Sequence, residues 1–166
     1  MLRREFLMGS AGLGAILGAG AFALRGAPAT AAEGQFEIAK TEAEWRAVLS
    51  EEQYAVLREE ATEHAFSSPL NDEKRKGAFH CAGCDLPLYA SETKYDSGTG
   101  WPSFWESLPN AVSTKEDNSL FMARTEVHCR RCGGHLGHIF DDGPEPTGKR
   151  HCINGLALTF KPAANA

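Results

Sequence analysis

Past residue 40 the chain starts with helical spacing and then abandons it. Thr41-Glu42-Ala43-Glu44 has the S/T-x-x-E form of a capping box, and it precedes Trp45, Val48 and Leu49 at helical intervals. Ser50-Glu51-Glu52-Gln53 repeats the device before a second short helix, in which Tyr54 and Leu57 share a face. Ser68-Pro69-Leu70 ends this part. From Lys76 onward, short apolar or alternating runs are separated by clusters of Gly, Pro, Asn and Asp. That pattern predicts a mainly β body, with candidate strands at 77–80, 86–90, 120–128, 136–140 and 152–160. The expectation is one domain over 41–161, a helical arm packed on a β-rich body, reached through a polar tether at 32–40.

Residues 1–31 follow a different pattern. A basic start (Arg3, Arg4) leads into a Gly-, Ala- and Leu-rich stretch and then small residues, the layout of an export signal. Arg3-Arg4 with Phe6-Leu7 just after resembles the twin-arginine class, and the mild hydrophobicity of the stretch and Arg25 near its end agree with that class. Ala29-Thr30-Ala31 offers the cleavage site. The chain is therefore expected to use the twin-arginine translocation machinery and to reside in the bacterial periplasm. The rival is residual inner-membrane anchoring through residues 5–24, whose glycines make a weak span.

Composition narrows the function. With 166 residues, 42% hydrophobic and 23% charged, there is room for one ordinary domain. The net charge is −5, and loss of the leader leaves 14 basic against 21 acidic residues. An acidic surface disfavours nucleic acid as a partner. Five cysteines are too few for a disulfide scaffold, and their odd number leaves one thiol over.

Four of the five fall in two C-x-x-C pairs, Cys81/Cys84 and Cys129/Cys132. A tight turn across such a pair aims both sulfurs at one point, and two turns supply a tetrahedral shell for Zn2+. With four thiolates the shell is closed, so the metal would be structural and could not activate water. The 44 residues between the pairs exceed a local finger, so the ion would join two distant hairpins. Two disulfides are the rival in an exported protein.

The remaining thiol, Cys152, lies in Arg150-His151-Cys152-Ile153-Asn154. On a strand, Arg150, Cys152 and Asn154 share a face, and a guanidinium beside the thiol favours the thiolate. An inert buried cysteine is equally compatible with this segment. His135 and His138 would face opposite ways on a straight strand, and a bulge at Gly137 could bring them together. They suit proton donation or water ordering, or they are polar surface. Gly98-Thr99-Gly100 makes a sharp loop before Trp101-Pro102, and Trp101, Phe104 and Trp105 form a pocket wall or core.

Taken together, FHCAGCDLPLYASETKYDSGTGWPSF and RTEVHCRRCGGHLGHIFDDGPEPTGKRHCIN, in that order, resemble the B class of peptide-methionine (R)-S-oxide reductases. The resemblance runs through residues 41–160. It implies coiled antiparallel sheets of tent- or barrel-like form, N-terminal helices, and one structural zinc on Cys81, Cys84, Cys129 and Cys132. It also implies Cys152 as nucleophile, with His135, His138, Asp142, Arg150 and Asn154 around it and Trp101 as the wall for the substrate methyl. A histidine would supply the proton, Asp142 would orient that histidine, and Arg150 would hold the thiolate. The implied partners are oxidised proteins carrying methionine-R-sulfoxide and an external thiol reductant, thioredoxin-like or small. Many relatives place a resolving cysteine where this chain has Thr99, so the sulfenic acid on Cys152 is expected to meet an external thiol directly. His151 stands where the family is usually aromatic and should affect packing. Three alternatives remain. They are a non-catalytic zinc-stapled protein-binding module, a thiol–disulfide oxidoreductase using one C-x-x-C pair, and a zinc hydrolase, which the closed shell disfavours.

Overall fold

The computed structural model describes residues 36–118 and 123–164. The leader, with its proposed cleavage site, lies outside the described residues. Helices α1 (Glu42–Val48) and α2 (Glu51–Glu59) begin at Thr41 and Ser50, and both form complete capping boxes. In each, the cap side chain accepts an orphan amide and the residue three positions on returns the bond. Among the described residues nine strands follow: β1 (Gly77–Cys81), β2 (Pro87–Ala90), β3 (Lys94–Tyr95), β4 (Ser103–Phe104), β5 (Val112–Asp117), β6 (Arg124–Cys129), β7 (His135–Phe140), β8 (Arg150–Ile153) and β9 (Leu158–Pro162). They make two antiparallel sheets, one in the order β2-β1-β9 and one in the order β3-β4-β8-β7-β6-β5. Among the described residues no helix is long and apolar enough to cross a membrane.

The sheets meet through aromatic side chains. Phe79 on β1 packs edge-on against Phe104 on β4 at 5.0 Å, and Tyr89 on β2 stacks on Phe104 at 4.3 Å. His151 on β8 joins this interior, with Nδ1 3.2 Å from the Tyr89 hydroxyl. Phe104 and His151 are directly paired across the sheet, as are their neighbours Ser103 and Cys152. Alternation along a strand therefore turns Ser103 and Cys152 to the opposite face. The expectation for His151, a packing role away from the chemistry, agrees with this position.

The sequence reading of 152–160 as one strand is corrected. Strand β8 ends at Ile153, a 3₁₀ turn occupies Gly155–Ala157, and β9 joins the other sheet. The Asn154-Gly155 break thus carries the chain from one sheet to the other. Leu156 and Leu158 do not continue the face of Cys152. Strands β3, β4 and β5 were not foreseen. The first two are only two residues long, and β5 (VSTKED) is a polar edge strand without an apolar alternation to mark it. Residues 36–38, part of the expected tether, lie against the second C-x-x-C turn. There the Ile38 amide donates to the Arg131 carbonyl, and Glu37 pairs with Arg130.

Candidate active site and metal cage

Cys81 ends β1 and Cys129 ends β6, so the two C-x-x-C turns sit at neighbouring ends of the two sheets. Tight backbone bonds close them, Asp85 N to Cys81 O and Gly133 N to Cys129 O, both at 2.8 Å. The four sulfurs lie within 4.8 Å of one another, with Cys81–Cys132 at 3.7 Å and Cys84–Cys129 at 3.5 Å. Thiolates about 2.3 Å from a tetrahedral ion stand about 3.8 Å apart, whereas a disulfide requires about 2.0 Å. The cysteines are free, so the spacing suits a metal and disposes of the two-disulfide rival. Arg58 on α2 donates to the Cys132 carbonyl at 3.1 Å and reaches its sulfur at 3.8 Å, which places a cation beside the thiolate-rich cage.

Cys152 occupies the middle of the six-stranded sheet, paired with Ser103 on one side and His138 on the other. It opens into a cleft of about 180 Å³ lined by Trp101, Gly137, His138, Phe140 and Asn154, with Thr62 and Arg124 at its edge. Gly137 is needed there because a methyl group would collide with the Cys152 carbonyl oxygen. The pairing of β6 with β7 shifts between Val127 and His128, which leaves Leu136 as an extra residue. This bulge brings the His135 and His138 rings within 5.5 Å of each other. His138 Nε2 meets Asp117 Oδ2 at 2.8 Å, and Arg124 donates to the same oxygen at 2.6 Å. Behind it, buried His135 places Nδ1 2.7 Å from Glu126, whose other oxygen pairs with Lys115 at 2.9 Å.

Burial pushes the Cys152 thiol up, with partial offset from the Thr99 hydroxyl and then from Arg150. Burial also lowers both histidines, against the opposing charge of Asp117 on His138 and of Glu60 and Asp117 on His135. Both shifts favour the neutral forms, a thiol beside imidazoles. Thr99 Oγ1 lies 4.0 Å from the Cys152 sulfur, and a run of hydroxyls continues through Ser97 at 2.8 Å to buried Ser103 at 2.7 Å. Ser103 donates to the Trp101 carbonyl at 3.1 Å.

Comparison with known proteins decides the family. A profile of the SelR domain matches residues 49–162. Proteins named peptide methionine sulfoxide reductase MsrB are similar over most of their length. The one from Methanosarcina barkeri is 54% identical over 128 residues, 76% of this chain and 90% of the relative. That from Agrobacterium fabrum is 50% identical over 127 residues, 76% and 94%. That from Pseudomonas putida is 53% identical over 131 residues, 78% and 98%. The chain belongs to the SelR family.

Within the SelR domain, the residues singled out in the sequence separate into two groups. Cys152, His138, Asn154 and Trp101 line one cleft, and His135 backs it. Asp142 does not act as expected. Both oxygens of Asp142 are taken by Arg150 at 2.8 Å, so this carboxylate does not orient a histidine. Arg150, stacked 4.4 Å over Phe140 and tied to Asp142, favours the Cys152 thiolate as expected, but burial outweighs it and the thiol stays raised.

Four carboxylate or cationic positions were missed: Asp117, Arg124, Glu126 and Glu63. The register could have revealed Glu126, which sits directly opposite His138 on β6. Asp117 was hidden with the unforeseen strand β5. Glu63 carries no local sequence signal. It lies in the stretch after α2, yet its amide donates to Asn154 Oδ1 at 3.0 Å and its carbonyl accepts from Trp101 Nε1 at 3.1 Å. Its carboxylate receives the amides of Gly155 at 2.5 Å and Leu156 at 3.0 Å.

Proposed function

We propose that this protein reduces the R epimer of methionine sulfoxide in oxidised proteins, with Cys152 as the nucleophile. The observation that carries the reading is the meeting of the one cysteine outside the cage with an imidazole and an indole in a cleft the size of a single side chain. The SelR match and the MsrB relatives support the same chemistry.

The neutral resting pair suits the stoichiometry. A thiol and a sulfoxide contain all the atoms of a sulfenic acid and a thioether, so no outside proton is required. As substrate fills the cleft, the Cys152 proton passes by way of His138 to the sulfoxide oxygen, directly or through water. The sulfur of Cys152 attacks the substrate sulfur, the protonated oxygen then passes to Cys152 as the S–O bond and the transient S–S bond break, and methionine leaves with Cys152 as the sulfenic acid. Asp117 holds His138 in place, and Glu126 does the same for His135 behind it. Trp101, fixed by its bond to Glu63, would take the methyl group on the side away from His138. A fixed methyl wall and a fixed proton donor accept one arrangement around a chiral sulfur; the family resemblance makes that the R epimer.

With Thr99 facing Cys152, the sulfenic acid is returned to thiol by an external reductant, thioredoxin-like or a small thiol. The cage suits one Zn2+ held by Cys81, Cys84, Cys129 and Cys132, which would supply structural cross-linking only because its shell is complete. For the leader, the Arg3-Arg4 pair and the Ala29-Thr30-Ala31 site support export by the twin-arginine machinery to the periplasm, with folding and metal loading finished first.

The deciding experiment mixes the protein with dithiothreitol and the separate R and S epimers of a methionine-sulfoxide peptide. The R epimer should be consumed, and Cys152→Ser should stop turnover while retaining about one zinc ion per chain. Consumption of the S epimer, or an active Cys152→Ser variant, refutes the reading. A pure binding module would show neither consumption nor sensitivity to Cys152.

A further inference from the structure

A second cleft of about 180 Å³ shares Trp101 with the first; Phe66, Tyr95 and Pro102 form its apolar part, and the charged side chains of Asp72, Lys74, Lys94 and Asp96 line the rest. Trp101 lines this cleft as well as the one holding Cys152, so the two adjoin at a single indole. Small-molecule and cofactor sites are typically about 300–1,000 Å³, so each cleft is scaled to one side chain.

Phe66 is unusual in two respects. Its φ is +64°, in the left-handed region that a bulky residue adopts only under strain of about 1–2 kcal/mol. It is also 74% exposed, so no burial within the protein offsets that strain. The strain is imposed deliberately by its surroundings. Phe66 N donates to the Gly100 carbonyl at 2.7 Å, and Asn71 donates to the same oxygen at 3.0 Å. Gly100, at φ +93°, has no room for a side chain against the Phe66 amide and ring. Earlier in the same segment Glu63 is bonded to Trp101 and Asn154. The stretch from Thr62, which lines the first cleft, to Phe66, which lines the second, thus ends on a fixed backbone that presents a phenyl to solvent.

An extended peptide matches this layout. Its residues i and i+2 point the same way about 7 Å apart, the scale of an indole. With the oxidised methionine in the Cys152 cleft, the side chain two residues away reaches over Trp101 to the second cleft. We propose that Phe66 and this cleft form a subsite for an apolar side chain two positions from the oxidised methionine in an extended protein substrate. The inference rests on the reductase reading and adds a sequence preference to it. Its surface is continuous with the reactive cleft through Trp101, which favours the substrate chain itself over a separate partner.

The test compares three R-sulfoxide substrates: N-acetyl-methionine sulfoxide amide, a pentapeptide with leucine two residues from the sulfoxide, and the same pentapeptide with glycine there. The wild-type protein should have the lowest KM for the leucine peptide. Phe66→Asn keeps the left-handed backbone accessible. It should raise KM for that peptide about fivefold, with kcat unchanged and the acetyl amide unaffected. Equal loss on all three substrates, or no change on the leucine peptide, overturns the subsite while leaving the reductase reading intact. Failure of the wild-type protein to reduce even the acetyl amide overturns the reductase reading, and the subsite with it.

Discussion

Replacing His151 by Phe separates a buried titration from everything else acid does to this protein. The imidazole sits between the sheets against Tyr89, and burial, followed by the charge of Lys149, lowers its pKa from 6.5 to about 4. The folded protein therefore resists protonation that the unfolded chain accepts. Stability from this group is fully present above pH 6.5, declines as pH falls, and is exhausted below about 4. Between those values linkage gives a loss of about 2 kcal/mol at pH 5 and about 3 kcal/mol at the acid limit. The assay is urea unfolding, followed by tryptophan fluorescence, of wild type and His151→Phe at pH 7 and pH 5 with zinc in excess. Protonation of surface carboxylates and of the cage is common to both proteins and cancels in the difference. At pH 7 the variant is expected to be slightly weaker, because the Tyr89 hydroxyl loses its partner. On moving to pH 5 the balance should shift toward the variant by about 2 kcal/mol. Stabilities that fall in parallel would refute the argument that His151 is held neutral by burial.

Two further outcomes follow from the geometry around Cys152. Thr99→Cys places a second sulfur near the first, so one turnover without reductant should consume both thiols, read as the loss of two titratable groups where wild type loses one; an unchanged count would show that residue 99 does not face the reacting atom. Gly137→Ala forces a methyl group into the Cys152 carbonyl, and either β7 or β8 must move. Loss of most of the reductase activity with the zinc content retained is expected, and full activity would show that the close approach is dispensable.

The sequence made legible what repeats at fixed spacing. Two capping boxes announced both helices, and the paired C-x-x-C turns announced the cage, because each depends on residues a few positions apart. The histidine bulge was readable in kind but not in place: it was expected at Gly137, and the extra residue is Leu136. What escaped depends on partners far along the chain. The resemblance implied Asp142 as a histidine partner, but Arg150 takes both of its oxygens, and His138 receives Asp117 from β5. The raised Cys152 thiol was misjudged for a related reason: the nearby guanidinium was visible, whereas the burial that outweighs it is set by the whole sheet. The apolar run at 152–160 concealed a change of sheet because both pieces are buried strands, and only Asn154-Gly155 marks the crossing.

Glu63 bears on how far this protein can be shortened. Four of its atoms grip different parts of the reactive region: the Trp101 indole, Asn154, and the turn that carries the chain between sheets. Trimming the amino-terminal side back to the first strand would produce a protein that keeps most of its β framework yet has lost the buttress of its pocket. The stretch that carries Glu63 is thus part of the support of the pocket, and any shortened version must begin ahead of it.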